Sequence, residues 1–447
     1  MASIYPFRAF RYNPEKAGAP LDQLVTQPYD KITPAVQERY YKISPYNLVR
    51  VLLGKKEPGD NGQNAYTRAA AHMQEWTKEG ILAPDPAPAL YVYFQEYTVP
   101  GTKQRRVRKG FIALGRIEDY AARIVHRHEQ THTGPKKDRL ELLRHTRSHF
   151  GQLFMIYSDP AGEVDKVLNK VARREKPQEV RDEYDVAHRL WRVDDAATIE
   201  RIQQLMADKK LIIADGHHRY ETALAYRDQC RARAGATILD APHEKVMMTF
   251  INMEGSGVTI LPTHRLVADL PGFDFARFRQ AASSTFDWYA YPLSEDKDKQ
   301  RTLARLLRDL AERGAQRPTF AVCSAGEAAY YLFLLKVNAD LSQELPEASP
   351  QQRKLDLVVL HKLLLESCLG MDEESIRQQK NIRYVREWEE AVAAVENGAA
   401  QMAFLVNPTR LEQVRDVALS GEVLPQKSTD FYPKLLSGLT IYRLDHP

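Results

Sequence analysis

The stretch Leu211-Ile-Ile-Ala-Asp-Gly-His-His-Arg-Tyr-Glu-Thr-Ala-Leu-Ala-Tyr226 limits what this chain can fold into more than any other. Four apolar residues predict a short buried strand, Asp215-Gly216 a tight turn, and the alanine-rich continuation a helix. Gly216 permits a backbone geometry and a close approach that a Cβ would block. A helix start offers unpaired N–H groups and the positive end of its dipole. His217, His218 and Arg219 fall at that same end, so the turn reads as a pocket for phosphate or another anion. The plain alternative is an ordinary capped helix start with a buried histidine.

With 447 residues the chain exceeds one small domain, and 43% hydrophobic residues suffice for two or three cores. A net charge of +4 on so long a chain argues against a dedicated nucleic-acid binder. Three scattered cysteines, Cys230, Cys323 and Cys368, offer neither a disulfide framework nor a CxxC metal pair, and suggest a reducing cytoplasm. No window is apolar enough to span a membrane, and Met1–Arg8 lacks the pattern of a signal peptide. Oligomeric state has no signature in the sequence.

Along the chain, Leu90–Val99 and Arg106–Ile117 predict a β-hairpin about Pro100-Gly101. Ala83–Pro88 reads as a proline-punctuated linker, Lys137–Phe150 as a helix, Leu153–Tyr157 as a strand and residues 161–210 as helices. A helix to about Ala234 follows the turn, and Lys245–Asn252 predicts a buried strand. Beyond it, strands alternate with helices. Expected strands are Thr319–Cys323, Tyr330–Leu335, Ile382–Val385, Met402–Val406 and Thr440–Leu444. The expected fold class is therefore α+β, with a first domain over 1–267 and a second over 268–447.

Several residues suit the turn's chemistry. Arg219 can hold a phosphate bidentately, His217 and His218 can donate hydrogen bonds, His218 can shuttle protons, and Asp215 can orient an imidazole or hold Mg²⁺. In His126-Arg-His-Glu-Gln-Thr-His132, His128 is expected to contact the phosphates and Glu129 to act as general base or Mg²⁺ ligand. The same run matches the zinc-protease pattern His-Glu-x-x-His, but its flanks are too polar for a rigid metal-binding helix. Asp30, in Pro28-Tyr-Asp30, can accept the proton of a substrate hydroxyl, or simply start the helix that follows. Lys427, with Ser428, Thr429 and Lys434, can close over an anion or form a plain turn.

The Asp-Gly-His-His-Arg turn resembles the phosphate-binding box of the ParB/sulfiredoxin superfamily, which includes free-serine kinases of the SerK type. From end to end the chain resembles the DUF1015 family. The likeness runs through Tyr5-Pro-Phe-Arg8, Pro28-Tyr-Asp30, His128-Glu129 and Lys137-Asp-Arg-Leu140. It continues through the turn, Leu261-Pro-Thr-His-Arg-Leu266, His361-Lys-Leu363 and Leu424–Lys434. Leu424 and Asp430 depart from it, standing where a methionine and an aromatic are expected. The superfamily resemblance implies a ParB/sulfiredoxin-like N-terminal domain with insertions, followed by the second α+β domain.

The favoured function is a nucleotide-dependent phosphotransferase acting on a small hydroxylated metabolite. ATP or ADP would be held by the turn together with Mg²⁺. Free serine is a candidate acceptor by resemblance alone. A ParB-like nucleotide switch with a DNA or protein partner is the alternative, although the chain has no evident helix-turn-helix. A zinc hydrolase comes third. Sulfiredoxin chemistry requires a cysteine where His217 stands.

Overall fold

A computed structural model describes residues 2–60, 64–129, 133–235, 237–293 and 296–446, with the backbone alone at 133–135 and 296–298. The chain forms two compact units. The first comprises Met1–Arg127, Thr131–Thr259 and Pro433–Pro447, and the second His128–Gln130 and Ile260–Tyr432. This division differs from the expected break after residue 267. The strand His264–Val267 pairs with Ile382–Val385 and Met402–Leu405, so it belongs with the second unit. The last fifteen or so residues return to the first.

The first unit is built on a mixed sheet in the order Val125–His126, Leu211–Asp215, Leu153–Tyr157, Lys245–Asn252, Arg105–Arg116, Leu90–Thr98, Ala187–Val193 and Gln178–Arg181. The predicted hairpin forms with Tyr91 opposite Ile112, and Lys245–Asn252 continues it antiparallel, Val246 opposite Gly115. Leu153–Tyr157 runs parallel to Lys245–Asn252 and antiparallel to Leu211–Asp215. Leu153, Met155, Ile213, Val246, Met248 and Phe250 supply a dry core, and Tyr220 and Ala223 of the turn's helix pack into it.

Three expectations for this unit are corrected. Residues 161–210 contain two strands, Gln178–Arg181 and Ala187–Val193, besides the helices Glu163–Ala172 and Ala196–Met206. Part of the proline-rich linker, Leu82–Pro84, is a strand paired with Phe10–Tyr12; prolines are tolerated there because this is a two-stranded ribbon with open edges. The helix expected from Lys137 begins at Thr133 and ends at Thr146.

The second unit holds a wholly antiparallel sheet in the order Phe286–Pro292, Ala329–Leu335, Thr319–Ser324, Met402–Leu405, His264–Val267 and Ile382–Val385. Leu306 and Leu310 of the helix Asp296–Gly314, and Ala391 and Val395 of Trp388–Glu396, cover its apolar face. The mixed α+β architecture is thus present in each unit.

Candidate functional site

At the end of strand Leu211–Asp215 the backbone reverses through Gly216 at φ 99°, and the helix His217–Ala234 begins at the next residue. That left-handed angle is natural only for glycine. A Cβ there would also lie 3.0 Å from Arg219 Nη2 and 3.1 Å from Leu153 Cδ2. The N-cap is itself a glycine, so it brings no capping side chain to the helix start. Tyr220 anchors the first turn by donating its hydroxyl to Glu118 O at 2.7 Å, while Thr222 donates to His218 O at 2.8 Å. His217 is buried at 5% exposure and His218 is half-buried, so His218 is the better placed imidazole for a ligand.

The turn's charges are set by a strap near the C-terminus. Lys434 Nζ donates to Asp215 Oδ2 at 3.1 Å. Burial alone would raise the Asp215 pKa, but the positive charges of Lys434, Arg219 and Lys31 outweigh it and hold the carboxyl well below the usual carboxylate range. The strap is itself fixed in four places. Gln95 donates to Lys434 O at 2.8 Å, the buried Arg108 donates to Pro433 O, Ser437 exchanges backbone bonds with Thr26, and Gly438 N donates to Phe150 O at 3.0 Å.

Pairing with Thr26 brings in the segment of Asp30. Tyr29–Lys31 forms one 3-10 turn, and the charges of Arg219, Arg139 and Asp215 all act on the Tyr29 hydroxyl, whose pKa burial pushes up. Asp30 is exposed there. It does not start the next helix, because Thr33 is that cap, accepting from Val36 N at 3.3 Å. Arg139 lies 4.5 Å over the Tyr29 ring and donates to Leu52 O at 2.6 Å. A cavity of about 60 Å³ opens beside Arg219, bordered by Tyr29, Arg139, His149 and Ser437. Burial lowers the His149 pKa to about 4, so its ring is neutral at pH 7.

Arg219 departs from the expected free fork. Its guanidinium folds back between Gly151 and Gly216, and Nη1 donates to Gln152 O at 2.5 Å. The fully buried Gln152 side chain beside it has no hydrogen-bond partner on either polar atom among the described residues. Asp215 also differs from the expectation of an open Mg²⁺ ligand, since Lys434 occupies one oxygen. Among the described residues, no group of three or more His, Cys, Asp or Glu side chains could hold a metal ion.

The other predicted residues lie in the second unit. His128 is buried, its Nε2 2.9 Å from Thr429 Oγ1, and its ring meets Phe431 edge-on. Glu129 bridges Leu424 through the backbone, so the described pair His128-Glu129 is extended rather than helical. His132 lies outside the described residues. Lys427 is exposed at φ 57°, and its carbonyl accepts from Arg265 at 3.2 Å. Arg265 is itself fully buried, 5.4 Å from the Tyr384 ring, and its charge acts on the buried His361.

Asp30 and Asp215–Arg219 lie in the first unit and Lys427 in the second. The lysine at the turn is Lys434. Arg139 was legible only as part of a motif, and Tyr29 only as the neighbour of Asp30.

Residues 4–358 match the family described as "Protein of unknown function (DUF1015)", and the chain belongs to that family. No curated protein matches it. Among solved structures, a conserved hypothetical protein from Pyrococcus furiosus aligns with 13% identity over 72% of this chain and 93% of its own, at a TM-score of 0.31. A free serine kinase in complex with AMP aligns with 14% identity over 71% and 89%, at 0.30. SbnI with a C-terminal truncation, from Staphylococcus aureus, aligns with 11% identity over 73% and 87%, at 0.35. Overlaps this weak assign neither ligand nor activity. No described helix is long and apolar enough to cross a membrane.

Proposed function

We propose that this DUF1015 protein is a nucleotide-dependent phosphotransferase, and that the Asp-Gly-His-His-Arg turn holds the phosphates of ATP or ADP. The observation that carries the reading is the cluster of cations around a helix start whose N-cap is a glycine. Lys434, Arg219 and Lys31 all act on Asp215, and Arg139 stands next to Tyr29. Helix N–H groups and fixed cations suit a polyphosphate, whose transfer needs positioning and charge neutralisation above all. The buried, unbonded amide of Gln152 adds a polar group ready for a ligand.

On this reading the first unit carries a ParB/sulfiredoxin-like phosphate turn. Lys434 and the Arg219 N–H groups not committed to Gln152 contact phosphate oxygens, and His218 donates from the exposed side. Asp30 takes the proton of a small acceptor hydroxyl, serine being the first to try. Among the described residues no side chains form a cage for Mg²⁺, so on this reading the ion arrives on the nucleotide's own oxygens as part of the substrate. Three free thiols suit a reducing, cytoplasmic setting.

Isothermal titration with ATP and ADP, each with Mg²⁺, tests the reading. Lys434→Ala and Arg219→Ala should each weaken binding by about 1–3 kcal/mol, the range of a lost charge-assisted bond. Asp30→Asn should spare binding and abolish transfer. Absence of binding by the wild-type chain sinks the proposal, as does full binding by the Lys434 and Arg219 variants.

A further inference from the structure

The helices Thr133–Thr146 and His217–Ala234 pack against each other, and each takes part in the cavity at the turn, through Arg139 and Arg219. Further along, the same two helices border a second and larger cavity, of about 480 Å³. Along the second helix, Tyr226 in its wall is roughly 10 Å from Arg219, at 1.5 Å of rise per residue. Arg144, Arg147, Arg233, His145 and His243 line this cavity together with Tyr226. Among the described residues no carboxylate lines it.

Arginines near helix ends have an ordinary use, since the C-terminal dipole attracts cations. Arg144 and Arg231 fit that use and have partners: Glu141 and Gln229 for Arg144, Glu244 for Arg231. Arg147 and Arg233 are different. Neither side chain has a hydrogen-bond or carboxylate partner among the described residues. Arg147 lies beyond its helix at φ 47°, a left-handed angle unfavourable for an arginine. Backbone bonds from Arg147 N to Leu143 O at 2.8 Å and from Leu444 N to Arg147 O at 2.8 Å hold it there. The Tyr226 hydroxyl, whose pKa burial and Cys230 push up, feels the opposing charge of both arginines, so both lie close to it. Two solvent-exposed guanidinium groups without a side-chain partner among the described residues therefore border one concave, partly aromatic cavity of a size that suits a small metabolite.

We propose that this cavity is a second anion site, taking a phosphorylated small molecule whose phosphate bridges Arg147 and Arg233 and whose body lies against Tyr226. The site stands independently of the phosphate reading of the turn. Cys230, in the cavity wall, is a built-in reporter.

The test is titration of the full chain with inorganic pyrophosphate, read by calorimetry and by the rate at which a thiol reagent modifies Cys230, located by mass spectrometry. Both arginines are solvent-exposed, and Arg147→Ala with Arg233→Ala removes no side-chain hydrogen bond or ion pair among the described residues, so the fold should stay intact. The double variant should weaken one binding event by at least about tenfold, as expected for lost charge-assisted bonds. Pyrophosphate should slow modification of Cys230 in the wild type and not in the double variant. Unchanged binding and an unprotected Cys230 overturn the proposal, as does a wild type that binds no pyrophosphate. Arg219→Ala separates the two readings. Binding lost there but kept in the double variant supports the turn and overturns this site; the reverse supports this site and counts against the turn.

Discussion

Each unit buries an arginine among neutral partners, but in different polar surroundings. In the first, the arginine is bonded into a chain of polar side chains that reaches a carboxylate, Asp182. Arg108, 1% exposed, donates to Gln95 Oε1 at 2.9 Å. Gln95 lies 3.3 Å from His188 Nδ1, and His188 Nε2 lies 3.1 Å from Asp182 Oδ2. With Nε2 donating to Asp182, Nδ1 accepts from Tyr93 at 2.6 Å. In the second unit Arg265 is fully buried with two backbone carbonyls and the Tyr384 ring for partners, and no carboxylate among the described residues. Burial lowers its pKa to about 10. A matched network fixes geometry, whereas an unmatched charge only costs desolvation. The matched network is the one that ends on Pro433 and Lys434, at the candidate site.

The sharpest way to break this comparison is Arg108→Met. It removes a cation that Gln95 and Pro433 O both depend on, and should cost about 3 kcal/mol, the scale of breaking a buried charged network. It should also loosen the strap and weaken nucleotide binding. Urea unfolding is the check, and a loss below about 1 kcal/mol would show that the network positions nothing. Gly216→Ala comes next. A Cβ at φ 99° and 3.0 Å from Arg219 Nη2 should cost about 1–2 kcal/mol. Unchanged stability and binding in that variant would mean that the turn relaxes freely, and the close packing of Arg219 on Gly216 would lose its importance.

Acid offers a test of both units at once. Burial lowers His149 to about 4 in the first unit and His264 to about 4 in the second, with His361 well below its ordinary value. A histidine whose folded pKa is depressed takes up a proton first in the unfolded chain. Stability should therefore be full above about pH 6.5 and fall steadily as pH descends toward about 4. Thermal midpoints measured at pH 7, 6, 5 and 4 should drop for both units. A flat profile across that range would mean that these rings do not remain neutral inside the fold.

What was legible in the sequence follows the same division between apolar and polar burial. The strand Lys245–Asn252, the hairpin and the long helix after Gly216 were readable because apolar runs and glycine punctuation report them directly. Ala187–Val193 was hidden, because His188, Arg189 and Arg192 interrupt the apolar pattern of a strand whose His188 is nonetheless buried. Its partners Asp182 and Gln95 are far from obvious in one dimension. The difference between Lys434 and Lys427, both named in one loop, was hidden for a related reason. The final segment rejoins the first unit through Ser437 and Thr26, a pairing with no local signal, so nothing nearby separated Lys434 from Lys427.

The smallest expected effect comes from Arg265→Met, and it decides whether the contrast between the units is real. Removing this guanidinium leaves the carbonyls of Thr263 and Lys427 short of one donor each, a loss of about 1 kcal/mol apiece. Against that stands the relief of a buried charge with no carboxylate, where replacement by an apolar side chain is often neutral or stabilising by about 1–4 kcal/mol. The two nearly cancel, so Arg265→Met should change stability by no more than about 1 kcal/mol in either direction. Replacing both Arg108 and Arg265 by methionine should then cost what Arg108→Met costs alone, as expected for independent networks. If Arg265→Met instead destabilises as strongly as Arg108→Met, Arg265 is matched in solution by a bound anion, and the second unit joins the first in using buried charge to hold a ligand.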